Sequence, residues 1–288
     1  MKSAYRTRPH SGTPRPGADR CTVPEAGLTQ LNLLGPLEIH VSGVAMSPGG
    51  AKSQILFAYL CLHANRHVSI SNIIEATWGE EPPTSARKNV QLYVSRLRRQ
   101  VEDAADVHLV TTGDGYQLSA EAGQVDLERC QRLWRLGKES FDNGALTQAR
   151  GHLREAIQLW RGRPLSGLTG TLVMQAEAAR LEQFRLGLLM KYFQAQLADD
   201  QHVEVIPELL AAVTAYPYQE RLRADLMLAL WRSGQRHAAL ATYREAYQLL
   251  ADELGITPGR RLEALHQAIL ADDAELVSDL TADRNICP

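Results

Sequence analysis

Ser85-Ala-Arg-Lys-Asn-Val-Gln-Leu-Tyr-Val-Ser-Arg-Leu-Arg-Arg-Gln-Val-Glu102 is the stretch whose reading decides the fold. Set at about 100° per residue, Val90, Val94, Leu97 and Val101 fall on one narrow face, the spacing of a helix seated on a core. The opposite arc carries Lys88, Asn89, Leu92, Ser95, Arg96 and Arg99, with Arg87, Gln91, Tyr93 and Arg98 on its flanks. Arg87 to Arg99 thus holds five cations and no acid, in a chain whose formal net charge is -2. A solvated helix face ordinarily interleaves Glu with Lys or Arg to gain pairing, whereas Glu102 and Asp103 come only after this basic run. Leu92 lies mid-arc, where water disfavours it and a thymine methyl in a major groove would not.

The flanking sequence supplies the context. Upstream, Ile70 to Trp78 reads as a helix with Ser69 as N-cap, and Ala51 to Asn65 as another, with the breaker Glu80-Glu-Pro-Pro-Thr84 before the basic helix. Downstream, His108-Leu-Val-Thr-Thr112 and Tyr116-Gln-Leu-Ser119 flank the turn Gly113-Asp-Gly115 and read as a hairpin. Before the first helix, Leu31 to Gly35 and Leu37 to Gly43 alternate toward the turn at Pro48-Gly49-Gly50, the pattern of a small antiparallel sheet. A sheet, three helices and a terminal hairpin make a winged helix-turn-helix over residues 29–121.

After Val125 the periodicity is helical. Gly144-Ala-Leu-Thr-Gln-Ala149 followed by Arg154-Glu-Ala-Ile-Gln-Leu159 can be laid over Gly234-Gln-Arg-His-Ala-Ala239 followed by Arg244-Glu-Ala-Tyr-Gln-Leu249. A weaker copy, from Asp200 through Val205, Leu209 and Ala212, begins 34 residues before Gly234, the tetratricopeptide period. Ala149, Ala156, Ala212, Ala239 and Ala246 let paired helices approach closely. The stretch Gly162 to Thr171 interrupts the spacing. The expected fold class is mostly α with a small β component: the winged domain, then an all-α tetratricopeptide-like repeat domain over 122–272. Residues 1–28, with Pro9, Pro14, Pro16 and Pro24 and an excess of basic side chains, are expected to form a disordered basic tail. Residues 273–288 are expected to form an acidic C-terminal tail.

Roles on the basic helix follow from groove chemistry. Lys88 and Arg96 are expected to approach base edges, Arg being the bidentate partner of guanine, with Asn89 and Leu92 beside them. Arg87, Tyr93, Ser95, Arg98 and Arg99 are expected to hold phosphates, giving affinity and salt dependence rather than sequence choice. The same backbone contact is expected of Thr111 and Thr112 on the hairpin, and of Lys52 and Ser53 through backbone amides at a helix start.

Other chemistries find little support. Gly49-Gly-Ala-Lys-Ser53 is not a phosphate-binding loop, because Ala51 and Met46 stand where that motif needs glycines. Cys21, Cys61, Cys130 and Cys287 are scattered, and His63 and His67 lack the intervening Glu of a metalloprotease pair, so no metal site, cofactor or disulfide framework is expected. Apolar runs fall far short of about 18 residues, so the chain is expected to stay in the cytoplasm, off the membrane. An enzyme is not indicated.

Val90-Gln-Leu-Tyr-Val-Ser-Arg-Leu-Arg-Arg99, Val68 to Gly79 and Gly113-Asp-Gly-Tyr116 resemble the OmpR-type winged helix of the Streptomyces antibiotic regulatory proteins. Val125-Asp-Leu127, Leu159-Trp-Arg-Gly162 with Pro164-Leu165, and Ala251-Asp-Glu-Leu-Gly-Ile-Thr-Pro258 resemble the bacterial transcriptional activation domain that follows it. The chain departs from that pattern at Lys52-Ser53-Gln54, where members often carry an Arg or a Gln-Arg pair. The resemblance, over roughly residues 29–270, implies an activator of a secondary-metabolite gene cluster. It would bind tandem direct repeats of double-stranded promoter DNA as a dimer or as side-by-side protomers, recruit RNA polymerase holoenzyme, and sit at the nucleoid. Two other functions stay open on sequence alone: a protein-interaction adaptor, or a ligand-gated regulator acting through the repeat domain.

Overall fold

The computed structural model describes residues 29–101 and 106–282, so the expected basic tail at 1–28 lies outside the described residues. Strands β1 (Gln30–Asn32), β2 (Glu38–Val41) and β3 (Val44–Met46) form an antiparallel sheet in that order, with Leu31 opposite Ile39. Helices α1 (Ala51–Leu62), α2 (Ile70–Trp78) and α3 (Ala86–Gln100) follow. The Ser69 hydroxyl accepts from the Asn72 amide at the start of α2, the N-cap its position implied. Gly79, at φ 75, ends that helix in a conformation that favours glycine.

The second sheet holds one strand that sequence reasoning missed. β4 (Val68–Ser69) pairs with β6 (Gly115–Ala120), which also pairs with β5 (Val107–Thr112), giving the order β4-β6-β5. Two residues are too few to show alternation. Their pairing with Tyr116 and Gly115 is long-range.

The helical half comprises α4 (Asp126–Asp142), α5 (Leu146–Gln158), α6 (Leu172–Ala198), α7 (His202–Ala215), α8 (Glu220–Arg232), α9 (Arg236–Leu254), α10 (Arg260–Ala271) and α11 (Ala274–Ala282). The repeat has a backbone cause. Gly144 (φ 74), Asp200 (φ 55) and Gly234 (φ 75) occupy equivalent left-handed turns before α5, α7 and α9. In each, the next amide reaches back to close the preceding helix: Ala145 to the Ser140 carbonyl at 2.8 Å, Gln201 to Gln196 at 3.1 Å, Gln235 to Leu230 at 2.8 Å. Asp, which tolerates this region better than most non-glycine residues, explains why the middle copy is the weaker match. Residues 273–288 do not all form a tail: α11 runs from Ala274 to Ala282 and buries Val277. Its acidic composition had masked that apolar contact.

The two halves share one hydrophobic cluster, from Leu31 in the first sheet to Val277 in the last helix. At their junction Asp126, 5% exposed, starts α4. Its carboxylate accepts from the Leu33 amide at 2.8 Å and the Leu34 amide at 2.9 Å. The interruption of the repeat has its reason here. The Arg161 amide donates to Leu34 O at 2.7 Å, the Leu165 amide donates to Leu33 O, and the Arg161 guanidinium reaches Glu38 at 2.6 Å. Residues 161–171 leave the solenoid to grip the first sheet. A further tie reaches α2, where the Thr171 hydroxyl donates to the Ala76 carbonyl at 2.8 Å while capping α6.

Burial pushes the Asp126 carboxyl up to about 6, against the pull of the backbone donors and Arg161. Removing the acceptor in Asp126→Ala leaves two buried amides orphaned, and we expect a loss on the order of 2–3 kcal/mol in urea denaturation. Because the folded value lies above the unfolded one, this group's contribution to stability is full below about pH 4 and falls as pH rises through 6. The stability of the wild type relative to Asp126→Asn should therefore decline between pH 4 and 7; a flat or rising difference would contradict the assignment.

Candidate nucleic-acid interface

Helix α3 is anchored by Ala86, Val90, Val94 and Leu97, all buried, with Val101 closing the same face just beyond it. The turn before it is set by Pro83, whose carbonyl accepts from the Ala86 amide at 2.8 Å. With one face held, the other is left to solvent: Arg87, Lys88, Gln91, Leu92, Ser95, Arg96 and Arg99 are exposed, and Leu92 is 44% exposed. Among the described residues, no acid pairs with Arg87, Lys88, Arg96 or Arg99. Arg87 and Lys88 sit in the first turn, where the positive end of the helix dipole disfavours cations by roughly 0.3–1 kcal/mol each. Folding gains nothing from that placement, whereas an approaching phosphate would.

Asn89 is half-buried at the same end, and its amide donates to the Ser85 hydroxyl at 3.1 Å. The candidate base-reading set of Lys88, Asn89, Leu92 and Arg96 therefore lies together on the open side of α3, with Arg87, Ser95 and Arg99 around it. The remaining candidates are placed differently. Tyr93 stacks on Trp78 with ring centroids 6.3 Å apart, joining α3 to α2. Ser53 is 6% exposed and its amide donates to the Gly50 carbonyl at 2.9 Å, so the amide expected to meet a phosphate is already engaged within the fold. The Lys52 ammonium donates to the Thr77 carbonyl at 2.8 Å, capping the C-terminal end of α2. That contact is electrostatically favourable and spends the cation inside the fold.

Arg98 and Thr111 meet each other, the guanidinium donating to the hydroxyl at 2.6 Å. Thr112 meets His67, whose Nδ1 lies 2.8 Å from the hydroxyl and whose Nε2 lies 3.2 Å from Asp114. His67, Asp114 and Trp78 went unassigned in the sequence. Spacing alone gives no sign that they brace the hairpin and the helix, because each acts across elements.

A helix-turn-helix with a hairpin wing, presenting a cationic helix face and backed by tetratricopeptide-like helices, defines a class of transcriptional regulators. The comparisons agree. Residues 48–118 match the family model for the C-terminal domain of transcriptional regulatory proteins, and residues 125–270 match that for the bacterial transcriptional activator domain. Regulatory protein AfsR of Streptomyces coelicolor is 38% identical over 88% of this chain, which spans 25% of that protein's length. Regulatory protein DnrI of Streptomyces peucetius is 34% identical over 85% of this chain, which spans 93% of it. The solved structure of Mycobacterium tuberculosis EmbR in complex with a low-affinity phosphopeptide superposes with a TM-score of 0.81 at 30% identity, covering 89% of this chain and 70% of that one. The chain belongs to the Streptomyces antibiotic regulatory protein family of transcriptional activators. These relatives are named as regulatory proteins, and a Mycobacterium tuberculosis relative, MoaR1, as a transcriptional regulatory protein. No helix among the described residues is long and apolar enough to cross a membrane.

The wing depends on one glycine. A Cβ at Gly115 would lie 2.0 Å from the Val68 carbonyl oxygen, so the β4–β6 pairing exists only because that position has no side chain. Gly115→Ala should destabilise the protein by about 3 kcal/mol or more and accelerate amide exchange along β6. Wild-type melting together with wild-type exchange would refute the fit.

Proposed function

We propose that this protein activates transcription by seating α3 in the major groove of promoter DNA. Lys88, Asn89, Leu92 and Arg96 face base edges, while Arg87, Ser95 and Arg99 face the phosphates. The observation that carries the reading is the exposed cationic face of α3, four cations with no acidic partner among the described residues, fixed in direction by a buried apolar face. The family likeness supports the rest: binding to tandem direct repeats by protomers lying side by side, recruitment of RNA polymerase holoenzyme, and control of a secondary-metabolite gene cluster. Repeats spaced by whole helical turns would place each α3 on the same side of the duplex.

Gel-shift titration of the full chain against its own promoter fragments tests this. Arg87 and Arg99, the two cations directed at phosphates, give a log-log salt slope of about -2 for each protomer bound. Arg96→Ala should cost about 1–3 kcal/mol at the cognate sequence and erase preference over a scrambled site. Retention of wild-type preference by Arg96→Ala would mean that α3 is turned differently; a wild type that binds no promoter fragment would favour the adaptor.

A further inference from the structure

Arg98 was expected to be one of the phosphate contacts, and its surroundings assign it another task. It stands in the last turn of α3, half-buried, where the helix runs alongside β5. Its Nε donates to the Leu109 carbonyl at 2.6 Å and one Nη to the Thr111 hydroxyl at 2.6 Å. Its guanidinium carbon lies 5.7 Å from the centroid of the Tyr116 ring on β6. One planar group thereby engages a backbone carbonyl, a hydroxyl and an aromatic face on both strands of the wing.

The geometry calls for arginine. The Leu109 carbonyl and the Thr111 hydroxyl both lie within reach of a single guanidinium, at a spacing that its two-pronged donor fork spans. A lysine ammonium offers a point charge and cannot fill both acceptors while stacking on a ring. β5 is also the edge of its sheet, so the Leu109 carbonyl takes its partner from α3.

We infer that Arg98 is a positioning residue that clamps the wing to the recognition helix, and that the DNA contacts made by the wing depend on this clamp. The inference rests on the DNA-binding reading of α3 given above. The wing itself carries no Lys or Arg between Val107 and Ala120. Whatever it gives to a duplex comes from neutral donors such as Thr112 and backbone amides, whose hydrogen bonds weaken steeply with small changes in distance and angle. An unclamped wing therefore loses contacts that release no counterions. A phosphate-holding arginine would behave in the opposite way, since its loss removes about 0.9 of a unit from the salt slope.

Arg98→Lys separates these roles because it keeps the charge and removes the fork. Gel-shift titrations over a range of salt, with hydroxyl-radical footprinting on the same promoter fragment, are expected to show about tenfold weaker binding, equivalent to about 1.4 kcal/mol. The salt slope should match wild type, and protection should be lost only on the backbone beside the wing. Thr111→Val, which removes one acceptor and leaves every cation in place, should lose the same protected segment. Adding it to Arg98→Lys should cost less than the sum of the two single effects. Wild-type affinity and footprint in Arg98→Lys, or additive losses in the double variant, would overturn the clamp while leaving the DNA reading intact. A wild type that gives no footprint would overturn the DNA reading itself. Should Arg98→Lys fold poorly, Thr111→Val alone decides: an unchanged footprint overturns the inference.

Discussion

The buried carboxylate of Asp126 holds two folding patterns together as one body. A charge taken from water at this depth persists only with several donors around it. Here they come from the other half of the chain, the Leu33 and Leu34 amides beside β1. The same loop hands its carbonyls back, Leu34 to the Arg161 amide and Leu33 to the Leu165 amide. A short segment that would otherwise need water for its backbone groups finds all of these partners on the helical domain. The first sheet is therefore as much a part of the helical half as of the winged half.

That junction fixes how α3 is aimed. α2 is gripped at its C-terminal end by Lys52 from α1 and by Thr171 from α6, the latter reaching across the junction to the Ala76 carbonyl. Trp78 at the end of α2 carries the ring on which Tyr93 of α3 stacks. The wing is braced at its tip by His67 and along its side by Arg98. Each contact uses a polar group that could have faced DNA or solvent, and each removes a degree of freedom from the outward face of α3.

The sequence made α3 legible because a helix seated on a core must repeat its apolar residues at fixed intervals. Val90, Val94 and Leu97 did so while the cations filled the other arc. Ser69 before an apolar run and the breaker Glu80 to Thr84 after it marked α2 for equally local reasons. What stayed hidden was non-local. Arg98, Lys52 and Tyr93 lie on or beside the polar arc or at a helix start, and no periodicity shows that a carbonyl or a ring waits opposite. β4 was too short to alternate, and the apolar side of α11 was masked by neighbouring acids. The interruption at Gly162 to Thr171 was visible as a break in the repeat, but its cause, docking on β1 and β2, belongs to another part of the chain.

Interruption and docking together bear on how such a protein can work. A tetratricopeptide-like stack whose repeats continued without a break would present a uniform surface and leave the winged domain on a flexible linker. Here the stack gives up one regular turn, and Leu165 accepts a left-handed backbone at φ 53 while fully buried. A conformation so unfavourable for leucine persists only where its surroundings over-determine it. The helical domain consequently keeps a set direction relative to α3, so a duplex bound by that helix would carry the whole helical face at a fixed angle and distance from its groove. On the proposed reading, with a second protomer on the next repeat and a polymerase beyond it, fixed geometry would replace the reach of a linker, and the spacing of the sites on the DNA would become the adjustable quantity.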